Sequence, residues 1–208
     1  AMGGPIMNID IRHDNDGIQG VWKINKSDFK TRIAHDAANG KFADTNSTKV
    51  IAWRNDKTAE YNTIIRRAIF GPAAGYYEIG ERIIAASPCA VNGEVVLPTD
   101  EEAFVEGYAE SRHPLSPEFQ TIELKCRTED DRVIRLCVLH PASAMAYNNA
   151  CQSLAHAAKA NGKVWKAYWA MRELFHDVKY AYAITAHRAQ GSTYETVYVD
   201  YQDILLNR

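Results

Sequence analysis

The sequence predicts an α/β protein in which a parallel sheet layer with covering helices is interrupted by a separate small β module. Three observations lead there. A short, β-branched apolar run at 49–53 is followed at once by a polar turn and an amphipathic helix. A strand, polar turn and second strand recur at 181–200. Between the two, from 80 to 142, the texture changes to short apolar stretches separated by Pro, Gly and acidic clusters. A chain of 208 residues, 46% hydrophobic and 24% charged, has room for one domain with a small insertion and is too apolar for disorder.

In chain order, residues 1–6 read as an expression scar ahead of a start near Met7. Residues 27–38 form a predicted helix: Ser27 is placed to cap it, Phe29, Ile33 and Ala37 share a face, and Asn39-Gly40 ends it. Residues 49–53 are the first strand and Arg54-Asn55-Asp56 the polar turn. Tyr61, Ile64, Ile65, Ala68 and Ile69 then recur at helical spacing until Gly71-Pro72 stops them. Lys49, Arg54, Lys57, Arg66 and Arg67 stand against Asp56 and Glu60 here, so 49–72 reads as a locally basic unit.

In the β module the apolar stretches are 82–86, 94–97, 121–126 and 133–139. Eleven acidic residues against six basic ones from 82 to 142 make it acidic, unlike a general phosphate-binding surface, with the carboxylates expected in loops. Residues 142–160 are alanine-rich and helical, and Asn161-Gly162 breaks the helix. It resumes over 164–175 with Trp165, Tyr168, Trp169 and Phe175 spaced for one packed face. A buried strand at 181–185, a polar turn at 186–193 and a strand at 196–200 complete the order.

Composition excludes more than it assigns. No apolar run approaches the roughly 18 residues that cross a bilayer, and no charged-then-apolar leader opens the chain, so a cytoplasmic protein without a membrane partner is expected. Cys89, Cys126, Cys137 and Cys151 include no C-x-x-C pair, which favours buried free thiols over disulfides or a zinc knuckle. Val197-Tyr-Val-Asp200 imitates a Walker B strand, but Tyr201 follows in place of a second acid. The pairs His35-Asp36 and His176-Asp177 lack flanking ligands, and alternation on short strands buries Cys126, Cys137 and His140. No metal site is expected.

Chemistry concentrates in Tyr182-Ala-Ile-Thr-Ala-His-Arg-Ala-Gln-Gly-Ser-Thr-Tyr194, where a strand delivers hydroxyl, imidazole, guanidinium, amide and glycine to one loop. Gly191 lets backbone approach an oxyanion, Ser192 and Thr193 can donate to its oxygens, and Gln190 can donate and accept. A phosphate or nucleic-acid contact and a plain strand-to-helix turn with solvated polar groups both fit. The string from Ala183 to Thr193 resembles motif V of superfamily 1 DNA helicases of the 5′-to-3′ kind, the RecD-like and phage Dda-type enzymes. Val50-Ile-Ala-Trp-Arg-Asn-Asp with Tyr61-Asn-Thr-Ile-Ile-Arg-Arg resembles their motif IV and its helix. The 165–178 segment is similar to the aromatic helix that precedes motif V, so the likeness covers most of 49–200.

The resemblance implies a second RecA-like domain, of the P-loop NTPase type, over 7–79 and 143–208, with an SH3-like β-barrel subdomain inserted over 80–142. It implies that Thr185, His187, Arg188, Gln190, Ser192 and Thr193 line a single-stranded DNA track and that Gln190, Gly191 and Arg54 face nucleotide. A solvated turn arginine is the plain alternative for Arg54. ATP and Mg²⁺ would serve the complete enzyme, in a bacterial or phage-infected cell. Neither Gly40-Lys41-Phe42 nor Gly162-Lys163-Val164 is a Walker A loop, since each lacks the hydroxyl that binds Mg²⁺. The chain ends at Arg208, ahead of the family's arginine motif VI. A piece lacking its N-terminal ATP-binding domain, binding no cofactor and hydrolysing no ATP alone, is therefore expected. The rival expectation is a protein-interaction module that uses the β insert and has no role on DNA.

Overall fold

Strand β1 (Thr48–Ala52) is buried at four of its five positions, as a strand covered on both faces must be. In the computed structural model, which describes residues 20–205, it is the centre of a three-stranded parallel sheet, flanked by β10 (Thr196–Val199) and β9 (Ala183–Thr185). Val50 stands opposite Tyr198 on one side and Ala183 on the other. The scar read at 1–6 and the start at Met7 lie outside the described residues.

Helices α1 (Lys26–Ala38) and α2 (Asn55–Phe70) cover one face of this sheet. Ile33, Ala37, Tyr61 and Ile65 close over Val50, Ala52, Ala183 and Tyr198. The first helix starts earlier than expected: the Asn25 carboxamide oxygen, not Ser27, accepts the Asp28 amide at 2.9 Å. Gly71, at φ +86, ends the second helix where predicted. Two polar ties hold the layer together. Asp36 of α1 accepts from the Tyr198 hydroxyl and, at 2.7 Å, from Arg32. Lys30 and Lys57 both donate to Glu60, joining α1 to α2.

The second sheet is antiparallel. Its five strands run in the order β7-β6-β5-β2-β8 and comprise β2 (Arg82–Ala85), β5 (Glu102–His113), β6 (Ser116–Thr128), β7 (Val133–Leu139) and β8 (Val178–Tyr180). A hairpin of β3 (Cys89–Val91) and β4 (Glu94–Leu97) buries Cys89 and Leu97 in the same core as Ile83, Val105, Ile122, Leu124 and Leu136. The expected strands are present, but 102–113 was read as acidic loop and is the long partner of β6. Glu102, Glu106 and Glu110 therefore sit on a strand. Their side chains alternate with Ala103 and Val105, which fill the core.

This sheet reaches beyond the interval 80–142 by recruiting β8, and the helices from 144 to 172 pack on it. Phe119 of β6, Tyr147 of α3 (Ala144–Ala160) and Phe175 meet edge to face at 5.2–6.1 Å. Of the expected packed face, Tyr168 of α4 (Trp165–Arg172) and Phe175 beyond it pack on the Phe119–Tyr147 cluster, whereas the two tryptophans do not. No residue of that helix is buried, and Trp165 and Trp169 are 39% and 57% exposed. Cys89, Cys126 and Cys151 are buried free thiols, as expected, and Cys137 is half-buried. Burial pushes the first two up to about 11 and about 12, which keeps them protonated at neutral pH. Among the described residues no helix is long and apolar enough to cross a membrane.

One extended run joins the two sheets. After β8 pairs with β2, the Ala181 amide still bonds Arg82 O at 3.1 Å. One residue later Tyr182 O accepts the Val50 amide at 3.0 Å, and β9 continues beside β1. At this crossing Lys49 of β1, 1% exposed, donates to Glu102 of β5 and, at 2.6 Å, to Ala181 O. Lys49→Ala is expected to cost about 3 kcal/mol, the low end for breaking a buried pair because Arg82 remains 3.4 Å from Glu102. The urea midpoint should fall with unchanged slope. Acid sensitivity is expected at Glu60. The Lys30 and Lys57 ammonium groups push its carboxyl from 4.5 down to about 2, so its stabilisation is complete above pH 4.5 and lost as pH falls toward 2. Glu60→Gln should flatten that part of the stability–pH curve.

Candidate functional site

Three chain exits leave the carboxyl ends of the parallel strands side by side. The ladder extends one step past each strand: the Ala186 amide bonds Ala52 O at 2.8 Å and the Asp200 amide bonds Ile51 O at 2.9 Å. The turn at Trp53-Arg54, the 186–195 loop and the 200–203 segment are thereby brought to one edge. In open α/β sheets this edge is where ligands bind, because loops there diverge and leave a crevice.

Inside the loop, the Ala189 amide bonds Thr185 O at 3.1 Å and the Ser192 amide bonds Ala189 O at 3.2 Å. Gly191 has φ +85 and open space on the side where a Cβ would stand, so conformation and not space requires glycine. His187, Gln190, Ser192 and Thr193 are exposed, and Thr185 is half-buried at the strand end. The His187 imidazole packs on the Trp53 indole, centroids 4.5 Å apart and planes at 50°. This contact brings the motif IV-like turn against the motif V-like loop.

The predicted cations behave otherwise. Arg188 turns away from the exposed loop groups: its guanidinium donates to Ala85 O at 3.1 Å, Ala86 O at 2.8 Å and Asp100 at 2.7 Å, all on the antiparallel module. Arg54 is held by Asp203, whose carboxylate accepts from the Arg54 Nε at 2.6 Å, the Arg54 amide at 2.9 Å and the Trp53 amide at 2.8 Å. Asp203 thus ties down the turn that leads into α2, while no side chain caps the first-turn amides of the helix itself. Burial opposes its charge, yet the Arg54 amide and guanidinium and the Trp53 amide together hold its carboxyl below the usual range. The locally basic unit read at 49–72 is largely neutralised: Lys49 pairs with Glu102, Arg54 with Asp203, Lys57 with Glu60 and Arg66 with Glu81.

Asp200, the Walker B mimic, accepts from the Tyr61 hydroxyl at 2.6 Å and the Asp203 amide at 3.1 Å, and so ties α2 to the sheet. A cleft of about 660 Å³ opens between the loop and the antiparallel module. Ser192, Thr193 and Tyr194 face Asp100, Glu101, Glu102, Glu129 and Asp130 across it. Five carboxylates against the cations Lys49, Arg132 and Arg188 line the cleft and give it an acidic excess, although Arg82 also pairs with Glu102 and Glu129. Sequence reasoning missed Trp53, Asp100 and Asp203 as parts of this edge. Their partners are far along the chain, and no local pattern marks them.

No family model matches the chain. It is 44% identical over 46 residues to the Uncharacterized protein R530 of Acanthamoeba polyphaga mimivirus, a match covering 22% of this chain and 9% of that protein. Asp203→Ala, which frees two amides and the Arg54 guanidinium, is expected to destabilise by about 2 kcal/mol. The loss should appear in thermal unfolding at neutral pH and shrink as pH falls below the usual carboxylate range, where wild-type Asp203 also loses its charge.

Proposed function

We propose that this chain is the second motor domain of an ATP-dependent 5′-to-3′ DNA helicase, RecA-like with an SH3-like β insertion, that contacts single-stranded DNA through the 185–193 loop. The observation that carries this reading is the packing of the Trp53-Arg54 turn on the loop at His187, at the carboxyl edge of one parallel sheet. The two strings come from opposite ends of the sequence likeness, and the antiparallel strands β2 to β7 are inserted between them.

The chemistry suits a polyanion held weakly and repeatedly. His187, Gln190, Ser192 and Thr193 make no side-chain hydrogen bond among the described residues, so their donors are free for phosphate oxygens, and Gly191 leaves backbone accessible. The acidic cleft repels phosphate on the side of the antiparallel module. A strand would therefore approach across His187 and Trp53, where an aromatic face can stack on a base. In the complete enzyme, ATP with Mg²⁺ would lie between this domain and an N-terminal ATP-binding domain. Closure and opening of that interface would make the loop grip and release the strand. No ATP hydrolysis is expected from this chain alone.

A second reading, a protein-interaction module, is favoured by one observation: Trp165, Tyr168 and Trp169 pack on one another at 5.0–6.5 Å on a helix with no buried residue. Exposed aromatic clusters of this kind anchor protein interfaces.

Salt separates the two. A fluorescent single-stranded oligonucleotide is expected to bind the chain with an affinity that falls as salt rises, and to lose binding in the His187→Ala, Gln190→Ala double variant. Salt-dependent binding that survives the double variant would overturn the role of the loop. Failure of the chain to bind even when rejoined to an ATP-binding partner domain would overturn the DNA reading.

A further inference from the structure

We infer that Arg188 is a positioning residue that locks the 186–193 loop to the antiparallel module, and not a phosphate contact. The inference rests on the DNA reading of the loop for its functional consequence, though not for its geometry. The other polar side chains of the loop are exposed and uncommitted, whereas the Arg188 side chain is 22% exposed and turned the opposite way. Its Nη1 reaches Ala85 O at 3.1 Å and Asp100 Oδ1 at 2.7 Å, and its Nη2 reaches Ala86 O at 2.8 Å. A planar fork of fixed donors matches two successive carbonyls and a carboxylate as a point-charge ammonium cannot.

The receiving groups form a built joint. Ala85 O also accepts the Asp100 amide at 3.0 Å, the Ala85 amide bonds Glu101 O at 3.0 Å, and the Ala86 amide bonds Asp177 O at 2.7 Å. The end of β2, the turn before β5 and the segment entering β8 thus meet where the guanidinium closes. Asp100 sits at φ +66, in the left-handed region that Asp and Asn enter more readily than other non-glycine residues. A phosphate at Arg188 would have to displace Asp100 and lie among Glu101, Glu102, Glu129 and Asp130 in the cleft.

The consequence is mechanical. The loop is connected to the antiparallel module in three ways: covalently, through the β8–β9 run; by Ala189 and Tyr194 packed on the cluster of Ile84, Ala181 and Ile184; and by the Arg188 hydrogen bonds in the loop's first turn. A shift of that module, under load from DNA or a partner, moves the loop that carries His187 and Gln190 with it. Without Arg188 the strand connection and the packing of Ala189 and Tyr194 on the Ile84 cluster remain, but the polar tie at the loop's first turn is gone.

The test compares Arg188→Ala and Asp100→Asn with the wild-type chain. Asparagine tolerates the left-handed conformation, so the second variant removes the charge and keeps the turn. Amide hydrogen exchange across 186–195 is expected to speed up about tenfold or more in both variants, with α1, α2 and β1 unchanged. Affinity for a labelled oligothymidylate should fall in both, with the slope of log affinity against log salt unaltered because no phosphate contact is lost. A slope reduced by about 1 in Arg188→Ala, together with tighter binding in Asp100→Asn, would make Arg188 a direct phosphate contact and overturn the inference. Should the wild type bind no oligonucleotide even when rejoined to an ATP-binding partner domain, the DNA reading fails and the exchange data still decide. Unchanged exchange at 186–195 in Arg188→Ala would then overturn the lock.

Discussion

The ion pair of Lys49 with Glu102 sits where two sheets of different kinds have to be held against each other. Lys49 belongs to the central strand of the parallel sheet and Glu102 to the long strand of the antiparallel one. The ammonium also reaches Ala181 O, on the residue at which the chain passes from the second sheet to the first. Burial pushes the lysine down in pKa, and the carboxylate beside it works against that shift. Such a pair adds little net stability over apolar residues of the same volume, but it is specific. Sliding one sheet past the other would part the ammonium from the carboxylate and the carbonyl.

The candidate site inherits its geometry from this joint. With β1 and β9 adjacent and parallel, the turn after one and the loop after the other emerge together, and Trp53 meets His187. Arg188 and the acidic cleft lie on the side of the joint that faces the antiparallel module, whereas the uncommitted donors lie on the open side. One edge of one sheet therefore carries two kinds of surface, one made to hold its neighbour and one free to hold a ligand. Net charge along the sequence does not reveal that division. Arg54, Lys57 and Arg66 count as basic residues, yet each is paired within the fold.

Much of the architecture is legible locally. The 49–70 strand–turn–helix, the helix end at Gly71, the extended runs at 82–85, 94–97 and 133–139, and the turn at 186–193 all follow from spacing and from residues whose backbone preference is strong. The long hairpin strand at 102–113 was hidden because its outward positions are acidic, and acidic clusters resemble loops when only composition is weighed. The aromatic helix misled in the opposite direction. Trp165, Tyr168, Trp169 and Phe175 at helical spacing look like one core face, but only Tyr168 and Phe175 pack on Phe119 and Tyr147, and the two tryptophans are left on the exposed side.

The sequence by itself determined the mixed α/β class and the order of those strands and helices whose apolar spacing is regular, because each of these depends on neighbours a few residues apart. Only the tertiary structure decided which polar groups remain available. Arg188 looks like Gln190 or Ser192 when read along the chain, and it differs because Ala85, Ala86 and Asp100 lie within reach of its guanidinium. Arg54 likewise meets Asp203 only once β10 is laid beside β1. A hydrogen bond or ion pair is decided by distance in space, and the residues that close these contacts are separated by tens to more than a hundred positions, which no local pattern encodes.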